Sequence, residues 1–444
     1  MKKITIIGGG LAGSEAAWQA AERGAQVTLY EMKPEKTSPA HKSEGLAELV
    51  CSNSLRSNDI HNAPGVLKEE MRLMGSLIIE AADKTAVPAG SALAVDRELF
   101  SEYVTAKMEG HERIHLIREE VSSIPDDENE IVIIASGPLT SEPLSKSIGM
   151  LVGEEYLYFY DAISPIIDVT SIDFDIAFKQ SRYDKGEAAY INCPMDEECY
   201  NNFIREITEA KQVATKDFEK EKFFEGCMPI EVMAARGPQT LSFGPMKPVG
   251  LKDERRDETP YAVVQLRQED KSGSMYNMVG FQTRLIYSEQ KRIFRTIPGL
   301  ENAEFLRLGS MHRNTYINSP LHLGPTLQLK KRPSLFFAGQ ISGVEGYIES
   351  ASMGILAGIN AVLTASGKDP IVPPATTAMG GLVRHITESE PKNFQPMNIN
   401  FGLLPPLERV NGRKMKKADR KAAAAERAIR DMKEWISGLI AKQT

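Results

Sequence analysis

The chain has 444 residues, more than one ordinary core holds, so a large domain with an insertion or two to three units is expected. Its 42% hydrophobic and 25% charged content is that of a globular protein, and a net charge of −7 argues against a wholly basic coat without excluding local basic patches. Four cysteines are too few for a disulfide framework, and no run of eighteen apolar residues stands out, so the expectation is a reducing, cytoplasmic setting without a membrane span.

In chain order, Lys3–Ile7 reads as a short apolar strand. Gly8-Gly9-Gly10-Leu11-Ala12-Gly13 follows, then an alanine-rich helix from Ser14 to Arg23 and a second strand, Gln26–Tyr30, closed by Glu31. This is a β-turn-helix-β unit of about thirty residues. Residues 35–64 are polar and read mainly as loop. One helix is expected over Val66–Ala82 and another over Asp96–Met108, then strands at Ile114–Ile117 and Ile131–Ala135. From about Leu144 the rhythm changes. Aromatic and alternating runs (Tyr156–Tyr160, Ala188–Asn192) mix with a charged helix over Glu197–Glu221, as in an inserted domain. Leu335–Ala338 returns to strand, Ile348–Leu363 is a helix of small residues, Pro370–Pro374 is a break, and Arg413–Lys442 is a terminal helix. The fold class expected is α/β: a Rossmann-like dinucleotide-binding domain with an inserted α+β domain. The division expected is 1–145, an insertion at 146–305, a return at 306–370, and a C-terminal extension at 371–444.

Gly8-x-Gly10-x-x-Gly13 gains meaning from lying between a strand and a helix. The first glycine allows the tight turn, the second lets backbone approach a pyrophosphate, and the third lets helix and strand pack closely. The helix N-terminus then offers unpaired N–H groups to phosphate. Gly9, Leu11 and Ala12 complete the turn. Glu31 is placed to accept ribose hydroxyls, and it would repel a 2′-phosphate. FAD, NAD and S-adenosylmethionine could all use such a unit. Two distant segments favour FAD. Ile131–Gly137, ending in Ser136-Gly137, resembles the strand-plus-glycine segment of two-dinucleotide-domain flavoproteins. Leu335–Gln340, with Gly339 and Gln340, resembles their late strand. Gly343 and Gly346 would relieve crowding against a planar ring. No second Gly-x-Gly-x-x-Gly follows a strand, so NAD(P)H would have to visit the flavin directly.

Cys51 lies in a polar loop with an arginine nearby in sequence, and Cys227 in a shaped turn between Gly226 and Pro229. Cys193 and Cys199 read as small hydrophobes, because their spacing is not that of a zinc pair, and no metal site is arguable.

The residues Ile7–Ala17, Leu49–Ser54, Phe224–Glu231, Met311–Pro320 and Ala338–Tyr347 resemble the folate- and FAD-dependent tRNA (uracil-5-)-methyltransferases. The resemblance runs essentially end to end. It implies formation of 5-methyluridine in the T-loop, at tRNA position 54. The one-carbon unit would come from 5,10-methylenetetrahydrofolate, reduced FAD would bring it to methyl, and NAD(P)H would restore the flavin. It also implies that Cys227 adds to uracil C6, making C5 nucleophilic, and that Cys51 removes the C5 proton. His312 and Tyr347 are candidates to stack the flat pterin. For tRNA, the basic run Arg413-Lys414-Met415-Lys416-Lys417 is the denser candidate and Lys330-Lys331-Arg332 the shorter one. Alternatives are a flavin–folate enzyme of wobble uridines, which would have a longer C-terminal helical region, a flavin thiol oxidoreductase, which would have a Cys-x-x-Cys pair, and a flavoprotein that only binds RNA.

Overall fold

The computed structural model describes residues 2–38, 40–153, 157–184, 187–213, 228–253, 255, 259–407 and 416–441, without the side chains of 157–161, 312, 313, 417 and 439–441. Two sheets organise it. The first has five parallel strands in the order Arg332–Phe337, Val132–Ile134, Lys3–Ile7, Gln26–Glu31, Ile114–Arg118, with Gln328–Leu329 antiparallel on the outer edge of Arg332–Phe337. The near-continuous apolar runs at 4–7 and 131–135 fit parallel strands covered on both faces. This is the Rossmann-like α/β layer expected from the glycine-rich unit.

Helix Leu11–Glu22 lies against helix Tyr347–Ala365, and both lie on the sheet. They approach through small residues: a Cβ on Gly354 would stand 2.3 Å from the Ala12 carbonyl oxygen, and one on Gly358 2.6 Å from that of Ala16. The small-residue composition of the later helix is therefore a packing requirement. By length and composition this helix is apolar enough to cross a membrane, although no eighteen-residue apolar run stands out in the sequence. Its apolar surface is buried in the protein core: 89% of its most apolar window is buried.

Between Val132–Ile134 and Arg332–Phe337 the chain builds a second, antiparallel sheet. Its order is Phe178–Lys179, Tyr190–Met195, Ala262–Gln268, Met275–Met278, Ile166–Asp168, Phe305–Arg307. Val264 and Leu266 point into a core with Ile191, Cys193 and Phe203, while Gln265 and Arg267 point to the opposite face, as the two-residue period requires. An antiparallel ribbon of Leu157–Ala162 with Met311–Tyr316 joins the two sheets.

Several elements differ from expectation. The polar stretch 35–64 contains a strand, Ser54–Ser57, which pairs with Ala92–Val95. The helix expected over 66–82 is two helices, Ala63–Leu73 and Leu77–Lys84, because Gly75 turns left-handed (φ +69°) and Ser76 starts afresh, its hydroxyl accepting from Ile79 N. Glu15, buried in the first helix, also caps this N-terminus, accepting from Ser76 Oγ at 2.6 Å and from Ile78 N at 3.0 Å. The charged helix ends at Glu209, where Ala210 turns extended. Helix Ala378–Glu388 was not anticipated. Its N-terminus is capped by buried Glu70, which accepts from Ala378 N and Met379 N at 2.7 and 2.9 Å. The terminal helix spans Lys417–Ala441 and packs Ala425, Ala428 and Met432 into the first core.

Candidate functional site

At the C-terminal ends of the parallel strands lies a cleft lined by Gly8–Ala12, Tyr30–Lys33, Ser136–Ser141, Gly339, Gln340 and Tyr347, with His41, Glu48 and Val50 on one wall. The three glycines of the first turn do separate jobs. Gly8 has φ +107°, and a Cβ there would meet the Ala135 carbonyl oxygen at 2.6 Å. A Cβ on Gly13 would fall 1.7 Å from the Gly8 carbonyl oxygen, so this glycine is demanded by the turn itself. A Cβ on Gly10 would meet no protein atom within 4 Å. Nothing in the protein fold requires Gly10 to be bare, so the space above it fits a ligand phosphate at the helix N-terminus.

The Glu31 carboxylate holds the turn together as well as facing the cleft. It accepts from Gly9 N at 2.9 Å and from Lys33 N at 3.0 Å, and two oxygens have capacity left for ribose hydroxyls. Lys33, His41 and Glu48 form a wall that sequence reasoning missed. Lys33 Nζ donates to Gly45 O at 2.6 Å and pairs with Glu48 at 3.1 Å. Burial and the Lys33 charge hold His41 below the ordinary histidine range. No spacing rule marks these residues, because they meet only after the loop 33–48 folds back. Ser136 Oγ shares a 2.7 Å hydrogen bond with Thr140, and Gly137 (φ +70°) makes the bend beside them. Gly339 (φ +82°) sits against Ala12, and Gln340 is held by Glu345 at 2.5 Å.

Two expectations are corrected. The planar ring that Gly343 accommodates is Phe394 of this chain, 2.3 Å from where a Cβ would be, and the group crowding Gly346 is the Glu349 carboxylate, also at 2.3 Å. Gly346 starts the core helix and is not among the residues lining the cleft. The arginine near Cys51 in sequence, Arg56, turns away to pair with buried Glu349 at 3.0 Å.

The Cys51 loop is instead strapped by residues remote in sequence. Tyr347 Oη accepts from Cys51 N at 2.8 Å and from Ser52 N at 3.0 Å. Arg97 donates to Leu49 O at 2.9 Å while gripping Glu269 through two nitrogens, at 2.7 and 3.2 Å. Arg307 donates to Val50 O at 2.9 Å. Arg267, from the second sheet, donates to Ser52 Oγ at 2.7 Å and Asn53 Oδ1 at 3.0 Å. Cys51 Sγ lies 3.8 Å from Ala162 O, where the ribbon meets the loop. Burial, then the nearby Cys51, push the Tyr347 hydroxyl well above the phenol range. Burial and the neighbouring Arg97 lower Arg307. The junction thus joins the cleft wall, through Val50 and Tyr347, to both sheets.

Cys193 is buried and its thiol is pushed far up by burial, whereas Cys199 is half-buried on its helix. Cys227, Arg413 and Lys414 lie outside the described residues, as do the side chains of His312 and Lys417. Lys416 is exposed. In the shorter basic run, Lys330 donates to Pro320 O at 2.8 Å and Arg332 to Pro125 O at 2.8 Å, so two of its three cations hold loops. Among the described residues no group of three or more His, Cys, Asp or Glu side chains could hold a metal ion.

Fold and cleft together define a Rossmann-like dinucleotide-binding protein of the flavoprotein type. Residues 3–369 match the family model of glucose inhibited division protein A. Similarity to a solved structure of Aquifex aeolicus GidA extends over 97% of this chain and 73% of that longer one, with a TM-score of 0.70 at 20% identity, which speaks to the fold. A Geotalea daltonii protein is 61% identical over 98% of both chains, and one from Enterococcus faecalis is 58% identical over 99% of both. Both are named methylenetetrahydrofolate--tRNA-(uracil-5-)-methyltransferase TrmFO. The chain belongs to this TrmFO family.

Proposed function

We propose that this protein methylates C5 of a tRNA uridine, drawing the carbon from methylenetetrahydrofolate with FAD held in the cleft. The relatives' names, over nearly full-length matches, favour this reading over wobble-uridine chemistry or thiol oxidation. The finer assignments are ours: the T-loop as target, NAD(P)H as reductant, Cys227 as nucleophile and Cys51 as base.

One observation carries the cysteine assignment: a continuous run of contacts from Cys51 to Ile230 and Glu231, three and four residues after Cys227. Cys51 Sγ neighbours Ala162 O, and the next residue, Ile163, donates to Ser310 O at 2.7 Å. Gly309 beside it packs so tightly that a Cβ would stand 2.6 Å from Thr283 Cγ2. Thr283 Oγ1 donates to buried Glu231 at 2.8 Å, and Ile230 N donates to Gln282 O at 2.7 Å. Met228 at the end of this run is buried. The 230–231 segment is therefore linked to Cys51 through three intervening segments, 162–163, 309–310 and 282–283, which supports one shared site for both thiols.

The glycine turn and Glu31 fit the dinucleotide, and Tyr347 and Gln340 line the end of the cleft next to the Cys51 loop. Bound FAD, when reduced, would supply the electrons that take a methylene carbon to methyl. The protein's own residues supply the rest. Addition of the Cys227 thiolate to C6 places negative charge on the C4 carbonyl side of the ring. Arg97 and Arg307, both near Cys51, put cationic charge beside that developing anion. C5 then bonds the carbon drawn from the folate, Cys51 takes the C5 proton, and the C6–S bond breaks with its electron pair returning to the Cys227 sulfur as the C5=C6 double bond re-forms. Tyr347, through the Cys51 and Ser52 amides, fixes the base.

The test is a T-arm minihelix carrying 5-fluorouridine at the target. It should form a covalent adduct that mass mapping places on Cys227. The purified protein should be yellow, and Cys227→Ala should lose methyl transfer and keep its flavin. No adduct, or an adduct on Cys193 or Cys199, removes the nucleophile assignment.

A further inference from the structure

The second sheet turns one face toward the Cys51 loop, and that face continues into an exposed shelf the chemistry above does not use. Arg267, which grips Ser52 and Asn53, shares its side of the strand with Gln265, two residues earlier. Gln265 Oε1 accepts from Arg182 Nη2 at 2.8 Å. Arg182 also donates to Lys247 O at 2.9 Å and to Val249 O, clamping the 182–184 turn onto the 247–250 loop. A further tie, from Lys252 N to Gln180 Oε1 at 2.8 Å, closes the clamp.

What the clamp presents is unusual for a protein surface. Tyr183 is 56% exposed and Val249 50%, and Phe243, at the end of the helix Thr240–Phe243 that leads into the same loop, is 76% exposed. Tyr183 and Asp184 both have positive φ, +60° and +50°, a conformation that a bulky residue adopts only where its surroundings impose it. Here Tyr183 N donates to Gly250 O at 2.8 Å, and the ring lies on Gly250, where a Cβ would come within 2.7 Å of the ring. One face of the ring is thus backed by bare backbone. Lys247 and Lys252 are exposed on the clamped loop, and Asp184, next to Tyr183 in the chain, is exposed with its carboxylate accepting from Gln180 Nε2. At the other end of the shelf, Pro245 packs on Gly280 (2.5 Å to a Cβ there), two residues before the Gln282 that anchors Ile230. The shelf therefore runs from the Cys51 side of the sheet to the 228–231 side.

We infer that Tyr183, Phe243 and Val249, flanked by Lys247 and Lys252, form a landing surface on which unpaired nucleotides of the substrate RNA stack while the target uridine enters the site. This rests on the proposed activity, because it takes the occupant to be RNA. The chemistry of the patch favours that occupant. Aromatic faces interleaved with cations suit the bases and phosphates of single-stranded RNA, and reaching a loop uridine requires bases to be splayed. A preformed, clamped ring loses little freedom on stacking.

The test uses the full-length flavoprotein and a fluorescent T-arm minihelix. Tyr183→Gly removes the ring and relieves the positive φ, so misfolding is not the expected cause of any loss, and retained yellow colour checks this. Tyr183→Gly should weaken minihelix binding about tenfold or more, and Tyr183→Trp should restore it. Lys247→Ala should lower the slope of log affinity against log salt by about 0.7 to 0.9. In turnover, the Tyr183→Gly loss should fall mainly on KM for RNA. If the double variant Tyr183→Gly/Phe243→Ser binds minihelix and tRNA within twofold of wild type, the landing surface is wrong while the methylation reading stands. If wild type binds and methylates no tRNA, the activity reading fails and the surface with it. Loss of self-association in place of RNA binding would show a second copy of this chain as the occupant and would also overturn the inference.

Discussion

The cleft and the Cys51 junction lie side by side, share Tyr347 as a wall, and are built on opposite plans. The cleft is backbone: glycines at fixed spacing, a helix N-terminus, and one carboxylate twenty-two residues from the amide it accepts. The junction is side chain: Arg97, Arg267, Arg307 and Tyr347 reach the Cys51 loop across 48, 215, 257 and 296 residues of sequence. A turn that must approach a phosphate is specified locally, because only local φ/ψ and the lack of a Cβ matter. A loop that must hold a reactive sulfur among moving substrates is specified by whatever the rest of the fold brings to it.

Alanine substitutions inside the first turn should show how strictly the cleft plan divides its labour. Gly13→Ala puts a methyl 1.7 Å from the Gly8 carbonyl oxygen, so helix and turn must part. The expected loss is about 3 kcal/mol or more, with flavin loss, read as a lowered thermal midpoint and a colourless protein. Gly10→Ala meets no protein atom, so the apoprotein should keep its stability and lose FAD affinity. If the two variants behave alike, the assignment of Gly10 to the ligand is wrong.

The junction rests on a buried lysine for which the turn has no counterpart, and pH should read it. Lys68 Nζ, buried, donates to Leu55 O and Ser57 O at 2.8 and 2.7 Å, pinning the segment after Cys51. Burial lowers it from 10.5 to about 7, with Glu349 and Asp83 pulling upward and Arg56 and Arg72 downward. Between those values the unfolded chain holds a proton that the folded chain lacks, so stability rises with pH. Glu70 opposes this, but only up to about 8, where burial has pushed its carboxyl. Above pH 8 the Lys68 contribution should be about 1 kcal/mol per unit, read as the difference between wild type and Lys68→Met, because the buried Cys193 thiol, pushed up from 9, opposes it in both proteins from about pH 9. Urea unfolding of wild type and Lys68→Met from pH 8 to 10 reads it, and equal slopes would refute the assignment.

Arg267→Met tests the reach of the second sheet. It removes the donors to Ser52 and Asn53 while keeping bulk, so methylation should fall about tenfold or more while flavin content holds. Simultaneous flavin loss would mean that cleft and junction are one cooperative unit.

How much could be read from sequence follows the same line. The strand-turn-helix unit, the late strand and the small-residue helix were legible, because each is fixed by local period or by glycine. The break at Gly75 was passed over, because the apolar pattern continues across it in the sequence. Helix Ala378–Glu388 was passed over although Thr377 caps it locally, accepting from Gly380 N at 2.9 Å; its other cap, Glu70, lies more than 300 residues away. Arg56 was credited as the cation of the Cys51 loop for being near in sequence, but its partner is Glu349. The Lys33–Glu48 wall and the Tyr183 shelf carry no motif at all, since both depend on loops meeting in space.

The smallest effect expected is at the residue both regions share. Tyr347→Phe keeps the ring in the cleft wall and removes the oxygen that accepts from Cys51 N and Ser52 N. Losing that acceptor should cost about 1 kcal/mol, with little change in flavin binding. The loop should loosen, so iodoacetamide should label Cys51 severalfold faster while buried Cys193 stays protected. Methylation should drop a fewfold, because a base held less well meets the C5 proton less often in the right geometry. If instead Cys51 labels at the wild-type rate and flavin is lost, Tyr347 serves the cleft alone, and the loop is held by the three arginines without it.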